Sequence, residues 1–396
     1  MERVVGTTVR GLRAPIINEG DNLEEIVVDT VLNAAKVDGI KIEDRDIVSL
    51  TESIVARAQG NYASVNHIAT DIHAKFGDDT VGVIFPILSR NRFSTLLRGI
   101  AKGVKKIVLM LSYPADEVGN HLVSIEELDE KDINPWTDVL SEVEFREHFG
   151  FKKHTFTGVD YIEYYKSIVE AEGIECEIIF SNNAKTILSY TKNVLTCDIH
   201  TRERTKRILS KHGAEKVYGL DDILSESING SGFNAEYGLL GSNKATEDEV
   251  KLFPNECQPL VDGIQAKIKE VTGKTIEVMV YGDGAFKDPA GKIWELADPV
   301  VSPAYTIGLE GTPNEIKLKY LADNNFSHLR GQDLKNAISE FIDKKGENLA
   351  DAVEAQGTTP RKLTDLIGSL SDLTSGSGDK GTPFVYIQGY FDNYTN

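Results

Sequence analysis

Between about Asp79 and Asp222 the chain alternates short apolar runs with segments of helical spacing. "TVGVIFPIL", "KKIVLMLSYP", "ECEIIFSNN" and "NVLTCDI" have the length and branching of buried strands. "RFSTLLRGIAKG", "GVDYIEYYKSIVEAEG", "NAKTILSYTK" and "HTRERTKRILSKHG" lie between or after them and have helical spacing. Parallel strands need long crossovers, usually helices, so this rhythm predicts an α/β unit with a parallel sheet.

The flanks differ. "RVVGTTVRGL" alternates as a strand, and "NEGDNLEEIVVDTVLNAAK" opens with turn chemistry. Asp21 or Asn22 is placed to cap a helix carrying Leu23, Ile26, Val27, Val31 and Leu32 on one side. "DIVSLT" reads as a strand leading into Glu52, Arg57 and Gln59. Over 230–310 come glycine-rich turns, a helix in "ECQPLVDGIQAKIKEVTG" and the strand "KTIEVMV". From about 311 the pattern is mostly helical, until a glycine-rich loop precedes the strand-like "PFVYIQGYF".

Charge narrows the function. A net charge of -19, from 62 acidic and 43 basic side chains, argues against nucleic acid and against a polybasic membrane contact. No apolar run reaches the roughly 18 residues of a membrane span. The N-terminus has no apolar signal core, and three scattered cysteines, Cys176, Cys197 and Cys257, have no metal-binding spacing. The expectation is a cytoplasmic protein with reduced thiols.

Five stretches carry residues suited to chemistry. In "YGDGAFKDPAGKIWELADP", Asp283 stands between two glycines at a strand end, with Asp288, Glu295 and Asp298 nearby. A carboxylate there suits Mg2+ or Mn2+; the same residues also suit a plain hairpin turn. Thr51, Glu52 and Arg57 follow a strand and suit either a nucleotide phosphate or a solvated helix face. Arg90, Arg92, Arg98, Lys102, Lys105 and Lys106 make a basic island in an acidic chain, and His200, Arg202 and Arg204 a second one. Arginine forks fit anions, and both stretches equally fit solvated helices. "SGSGDKGT" offers Lys380 in a glycine loop, without the full phosphate-loop pattern.

Taken in order, three segments resemble the coenzyme F420-0:gamma-glutamyl ligase family. "GLRAPII", "EGDNLEEIV" and "EDRDIVSLTESIVARAQG" follow the spacing of its N-terminal Gly-Leu-Pro, Gly-Asp-Asp-Leu and Thr-Ser-Lys blocks. "YGLLGSN" before "KLFPNE" resembles its Gly-Val-Asp-x-Ser-Asn and Leu-Leu-Pro, and "GDGAFKDPAGKIWE" its Asp-Thr-Phe-Gly-Arg-Pro-Trp. The resemblance covers roughly 3–78 and 230–310. It implies an α+β fold: a ligase-like mixed-sheet core from 1–78 and 230–310, an α/β insertion over 79–229, and a helical C-terminal region over 311–396.

The resemblance also implies chemistry. GTP or ATP would activate a carboxylate as an acyl phosphate, and the amine of L-glutamate would attack it. Mg2+ or Mn2+, with K+ as a further cation, would accompany the nucleotide. Carried over by motif, Gly11, Leu12, Arg13, Thr51, Glu52, Arg57 and Asn243 would sit at the nucleotide, and Arg57 and Asp283 would serve catalysis. Asp283 would bind metal, with Glu236 and Asp288 as further ligands. From the basic islands, and not from the family's motifs, Arg90, Arg92 and Arg202 would meet an anionic acceptor. A homodimer is implied as well. The sequence departs from the pattern where Leu240 replaces the family's first metal aspartate, with Asn234 and Glu236 just before it, where Gly284 replaces a threonine, and where Glu52 and Ser53 replace serine and lysine. The acceptor is open between a deazaflavin precursor and a folate or pterin, and a non-catalytic nucleotide-binding homologue is a further reading.

Overall fold

The computed structural model describes residues 4–155, 157–282, 285–287, 294–296, 301–346, 349, 352–355, 361–375 and 379–395. In chain order the elements begin β1 (Thr8–Leu12), α1 (Leu23–Asp38), β2 (Ile47–Thr51), α2 (Glu52–Ala58), β3 (Tyr62–Ser64), α3 (Val65–Phe76), β4 (Thr80–Ile84), α4 (Ser94–Lys102) and β5 (Lys106–Leu111). There follow α5 (Ile125–Glu130), β6 (Leu140–Ser141), α6 (Glu142–Phe149), α7 (Tyr161–Ala171), β7 (Glu175–Phe180), β8 (Asn193–Thr196), α8 (Arg202–Lys211), β9 (Lys216–Gly219), β10 (Asn243–Lys244) and β11 (Glu249–Lys251). The last are α9 (Cys257–Thr272), β12 (Glu277–Gly282), β13 (Ala285–Lys287), β14 (Trp294–Leu296), β15 (Val301–Tyr305), α10 (Leu318–Tyr320), α11 (Gly331–Asp343), α12 (Leu363–Thr374) and β16 (Phe384–Gln388). This mixture of helices and mixed sheets is an α+β fold.

The chain forms two compact units, 1–55 with 256–286 and 299–396, and 56–255 with 287–298. The first is built on a five-stranded sheet in the order β1-β16-β2-β12-β15. Strand β16 runs antiparallel to both β1 and β2, β2 runs parallel to β12, and β15 returns antiparallel. The C-terminal strand thus lies between two N-terminal ones. β2 is buried on both faces, which is why "IVSL" is almost continuously apolar. One face carries Ile47, Met279, Tyr281, Val385 and Ile387 against Leu363 and Ile367 of α12. The alternate residues Val48, Leu50, Val278 and Val280 are equally buried, and α9 packs on β12 and β15 with α1 against α9. Asn22 is the cap of α1, accepting from the Glu25 N–H, and Gly39 closes the helix with φ of 64°.

The second unit holds the predicted parallel sheet. Its order is β6-β7-β5-β4-β8-β9, and only the short β6 pairs antiparallel. Strand β4 stops after Ile84 because Phe85 turns to φ of 57° and Pro86 follows. "NAKTILSYTK" forms a short 3-10 helix over Ala184–Ser189. The core beneath the sheet joins Val81, Val83, Ile107 and Leu109 to α3, α4 and α7 through Ile68, Leu97 and Tyr165. A small antiparallel sheet, β10-β11-β3, belongs to the same unit. Among the described residues no helix is long and apolar enough to cross a membrane.

Candidate functional site

The first sheet aligns three strand ends. Because β1, β2 and β12 all run the same way, Leu12, Leu50 and Val280 fall in one row with Phe384 between Leu12 and Leu50. Arg13, Thr51 and Tyr281 come one residue later. The chain returning into β16 is tied to this edge: the Thr51 N–H donates to the Pro383 carbonyl at 3.3 Å and the Ala14 N–H to Gly381 at 3.1 Å. Gly11 has no side chain for a reason of space, since a Cβ there would meet Thr382 at 3.1 Å.

This edge is polar and contains cations. Arg13 and Lys380 are exposed, and neither has an ion pair among the described residues. Lys380 adjoins Gly381, so its backbone lies beside the β1 end. Tyr281 is buried next to Asp372, Ser375 and Glu52; burial, with the two carboxylates adding, holds its hydroxyl far above its ordinary pKa. Burial, aided by the Glu52 charge, pushes the Cys257 thiol up to about 12. Gly11, Leu12, Arg13, Thr51 and Glu52 therefore share one edge of one sheet. Asp283, Gly284 and Asp288 lie outside the described residues, as does the Glu295 side chain.

The other predicted residues fall in the second unit. Arg57 is in the last turn of α2, and Asn243 opens β10, its amide donating to Gly241 at 3.4 Å. Leu240 is buried in the main apolar cluster. Asn234 is buried and already used: its amide donates to Phe253 and Pro254, and its oxygen accepts from the Glu236 and Tyr237 N–H groups. Glu236 is exposed.

The basic islands are largely neutralised. Arg98 pairs with Glu172 and Asp248, Lys102 with Glu172, Lys105 with Asp78, and Lys106 with Glu175 and Glu177. Arg202 donates to Asp221 at 3.1 Å and to the Ile199 carbonyl at 2.5 Å. Arg90 is exposed and Arg92 half-buried. Lys380, by contrast, looked like part of a plain loop, and only the backbone pairing of Gly381 to Ala14 brings it to the edge. Among the described residues no three His, Cys, Asp or Glu side chains form a metal-binding group.

The family model F420-0:gamma-glutamyl ligase matches residues 11–389, and the chain belongs to that family. The match runs through 79–229 and most of 311–396, beyond the two blocks in which the resemblance was visible. A comparison with curated proteins finds no match. The family assigns the class of reaction, gamma-glutamyl ligation with formation of a carbon–nitrogen bond.

Proposed function

We propose that the chain is a nucleotide-dependent gamma-glutamyl ligase whose nucleotide sits at the β1, β2 and β12 ends. The observation that carries the reading is the convergence of Arg13, Thr51 and the Lys380 segment on that edge. Thr51 offers a hydroxyl, and Arg13 and Lys380 offer charge to phosphate oxygens. An acceptor carboxylate oxygen attacks the γ-phosphorus of GTP or ATP, and the bond to the nucleoside diphosphate breaks. The L-glutamate nitrogen then attacks the acyl carbon. The new C–N bond forms, the C–O bond to phosphate breaks, and the nitrogen's proton passes to solvent. The acceptor is an anionic small molecule, with the deazaflavin precursor F420-0 first and a folate or pterin second. A homodimer belongs to the same proposal.

The described residues do not by themselves make a site for Mg2+ or Mn2+, since Leu240 is apolar, Asn234 is used and Glu236 has no metal-binding companions. Any divalent ion would draw on Asp283 and Asp288, and no step here is routed through it. Incubation with GTP or ATP, a divalent salt, L-glutamate and each acceptor, read by mass spectrometry, tests the reading. An acceptor heavier by one glutamyl residue supports it. Absence of both amide and nucleotide hydrolysis in every combination sinks it.

The burial of Leu240 favours one second reading, a homologue that binds nucleotide without turnover. It predicts nucleotide binding with no product in the same assay.

A further inference from the structure

The second unit carries a cavity of its own at the end of its parallel sheet. Numbered by chain order, the parallel strands β4, β5, β7, β8 and β9 lie in the spatial order three-two-one-four-five. The order reverses between β4 and β8, so the connections leave the two strand ends in opposite directions. In sheets of this kind a ligand crevice opens at the carboxyl ends beside that reversal. A cavity of about 340 Å³ lies there, lined by Phe85 after β4, Ser112 after β5, Asn183 after β7, and Asp198, Thr201 and Arg204 after β8. Its size is at the lower end of small-molecule sites, which run roughly from 300 to 1,000 Å³.

Asp198 is the unusual residue. It is only 2% exposed, and one carboxylate oxygen accepts from the Thr201 hydroxyl at 2.6 Å and the Thr205 hydroxyl at 2.7 Å. The other oxygen, Oδ1, is buried with no hydrogen-bond partner among the described residues. A buried carboxylate oxygen without a donor is costly, and its presence in a cavity wall points to a ligand that supplies one. Glu117 also lines the cavity and accepts from the Ile199 and His200 N–H groups, directly after Asp198. Its pKa is raised, chiefly by burial, with the Asp198 charge adding.

Two carboxylates select a cationic donor over a neutral one. No third metal-binding side chain joins them among the described residues. Arg204, exposed and without an ion pair among the described residues, provides the opposite charge on the same wall. Trp136, 80% exposed, gives the cavity an aromatic rim. We propose that this cavity binds a small molecule bearing both an ammonium and a carboxylate, an α-amino acid, with its ammonium at Asp198 and Glu117 and its carboxylate at Arg204. The inference does not depend on the ligase reading.

Trp136 supplies the readout. The chain has two tryptophans, so a Trp294→Phe background leaves Trp136 as the sole tryptophan. Full-length protein in that background is titrated, without nucleotide, with L-glutamate, L-alanine, propionate and ethylamine. The proposal expects a saturable Trp136 signal with either amino acid, weaker by tenfold or more with each half-molecule. Asp198→Asn and Arg204→Ala each weaken amino-acid binding by at least tenfold. Arg204 is exposed, so its variant tests the idea even where Asp198→Asn fails to fold. Undiminished binding in Arg204→Ala, or no signal with any amino acid, overturns the proposal. A nucleotide-induced rise in Tm, measured on separate samples of the same proteins, reports on the ligase reading separately.

Discussion

The hydroxyls of Ser49 in the central strand β2 and Ser371 on α12 lie 2.6 Å apart, with both residues fully buried. Ser49 also donates to the Val385 carbonyl at 3.4 Å. The pair fixes the register of a C-terminal helix over a sheet whose strands come from both ends of the chain.

Removing one member strands the other. Ser371→Ala is expected to cost about 1–3 kcal/mol, because a buried hydroxyl loses its partner. The double variant Ser49→Ala/Ser371→Ala is expected to lose less than the sum of the single changes. Urea unfolding followed by circular dichroism measures both. Strict additivity would show that the hydroxyls are not coupled.

Tyr386 gives a pH dependence. It is buried and donates to Asp46 at 2.5 Å, and burial first, then that carboxylate, hold its pKa well above the ordinary 10.0. In the unfolded chain the phenol ionises near 10 while the folded one keeps its proton. The unfolded state then binds fewer protons, so stability falls as pH rises. The contribution is fully present below about pH 10 and declines above it. Tyr386→Phe is expected to flatten the alkaline limb of a Tm-against-pH curve, and an unchanged limb would count against this account.

The cysteines are expected to be inert. Cys176 and Cys257 are pushed up to about 12 by burial, and burial likewise holds Cys197 well above its ordinary value. The thiolate is the reactive form. A thiol-reactive chromophore is expected to label none of the three in the native protein and all three in guanidinium. Rapid labelling of one thiol in the native state would contradict the packing described here.

Asp160 links two helices of the second unit. It caps α7 through the Ile162 and Glu163 N–H groups and receives both arms of Arg146, at 2.7 and 3.0 Å. Burial opposes its charge, but Arg146 and the N–H donors outweigh it and lower its pKa. Asp160→Ala is expected to cost about 0.5–2 kcal/mol from the cap alone, with more from Arg146. Because a lowered carboxylate stabilises only while ionised, the wild-type advantage is present above the ordinary value of 3.8 and vanishes as pH falls through the folded value. Denaturation at neutral pH and at about pH 3 separates the two regimes.

Local order was legible and long-range order was not. Asn22, Gly39 and the apolar stripe of α1 announce their helix, and the branched runs around Val81, Val108, Ile178 and Val194 announce parallel strands. Nothing near Phe384 in the sequence says that it pairs with both Leu12 and Leu50, because that register depends on residues more than 300 positions away. The basic island around Arg98 suggested an anion site because the partners that neutralise it, Glu172 and Asp248, are remote in sequence. Asp198 gave no signal at all. Its burial and its single unpartnered oxygen exist only once Thr201 and Thr205 turn back onto it.

The most direct test of the nucleotide edge is a thermal-shift comparison. Wild type, Thr51→Val and Arg13→Ala are melted with and without GTP or ATP and a divalent salt. Neither side chain makes a hydrogen bond or ion pair to the rest of the fold among the described residues, so the unliganded Tm is expected to stay within a few degrees of wild type. The account predicts that nucleotide raises the wild-type Tm, as a ligand of the native state must, and that each variant loses most of that rise. No rise with either nucleotide, or an equal rise in both variants, would contradict it.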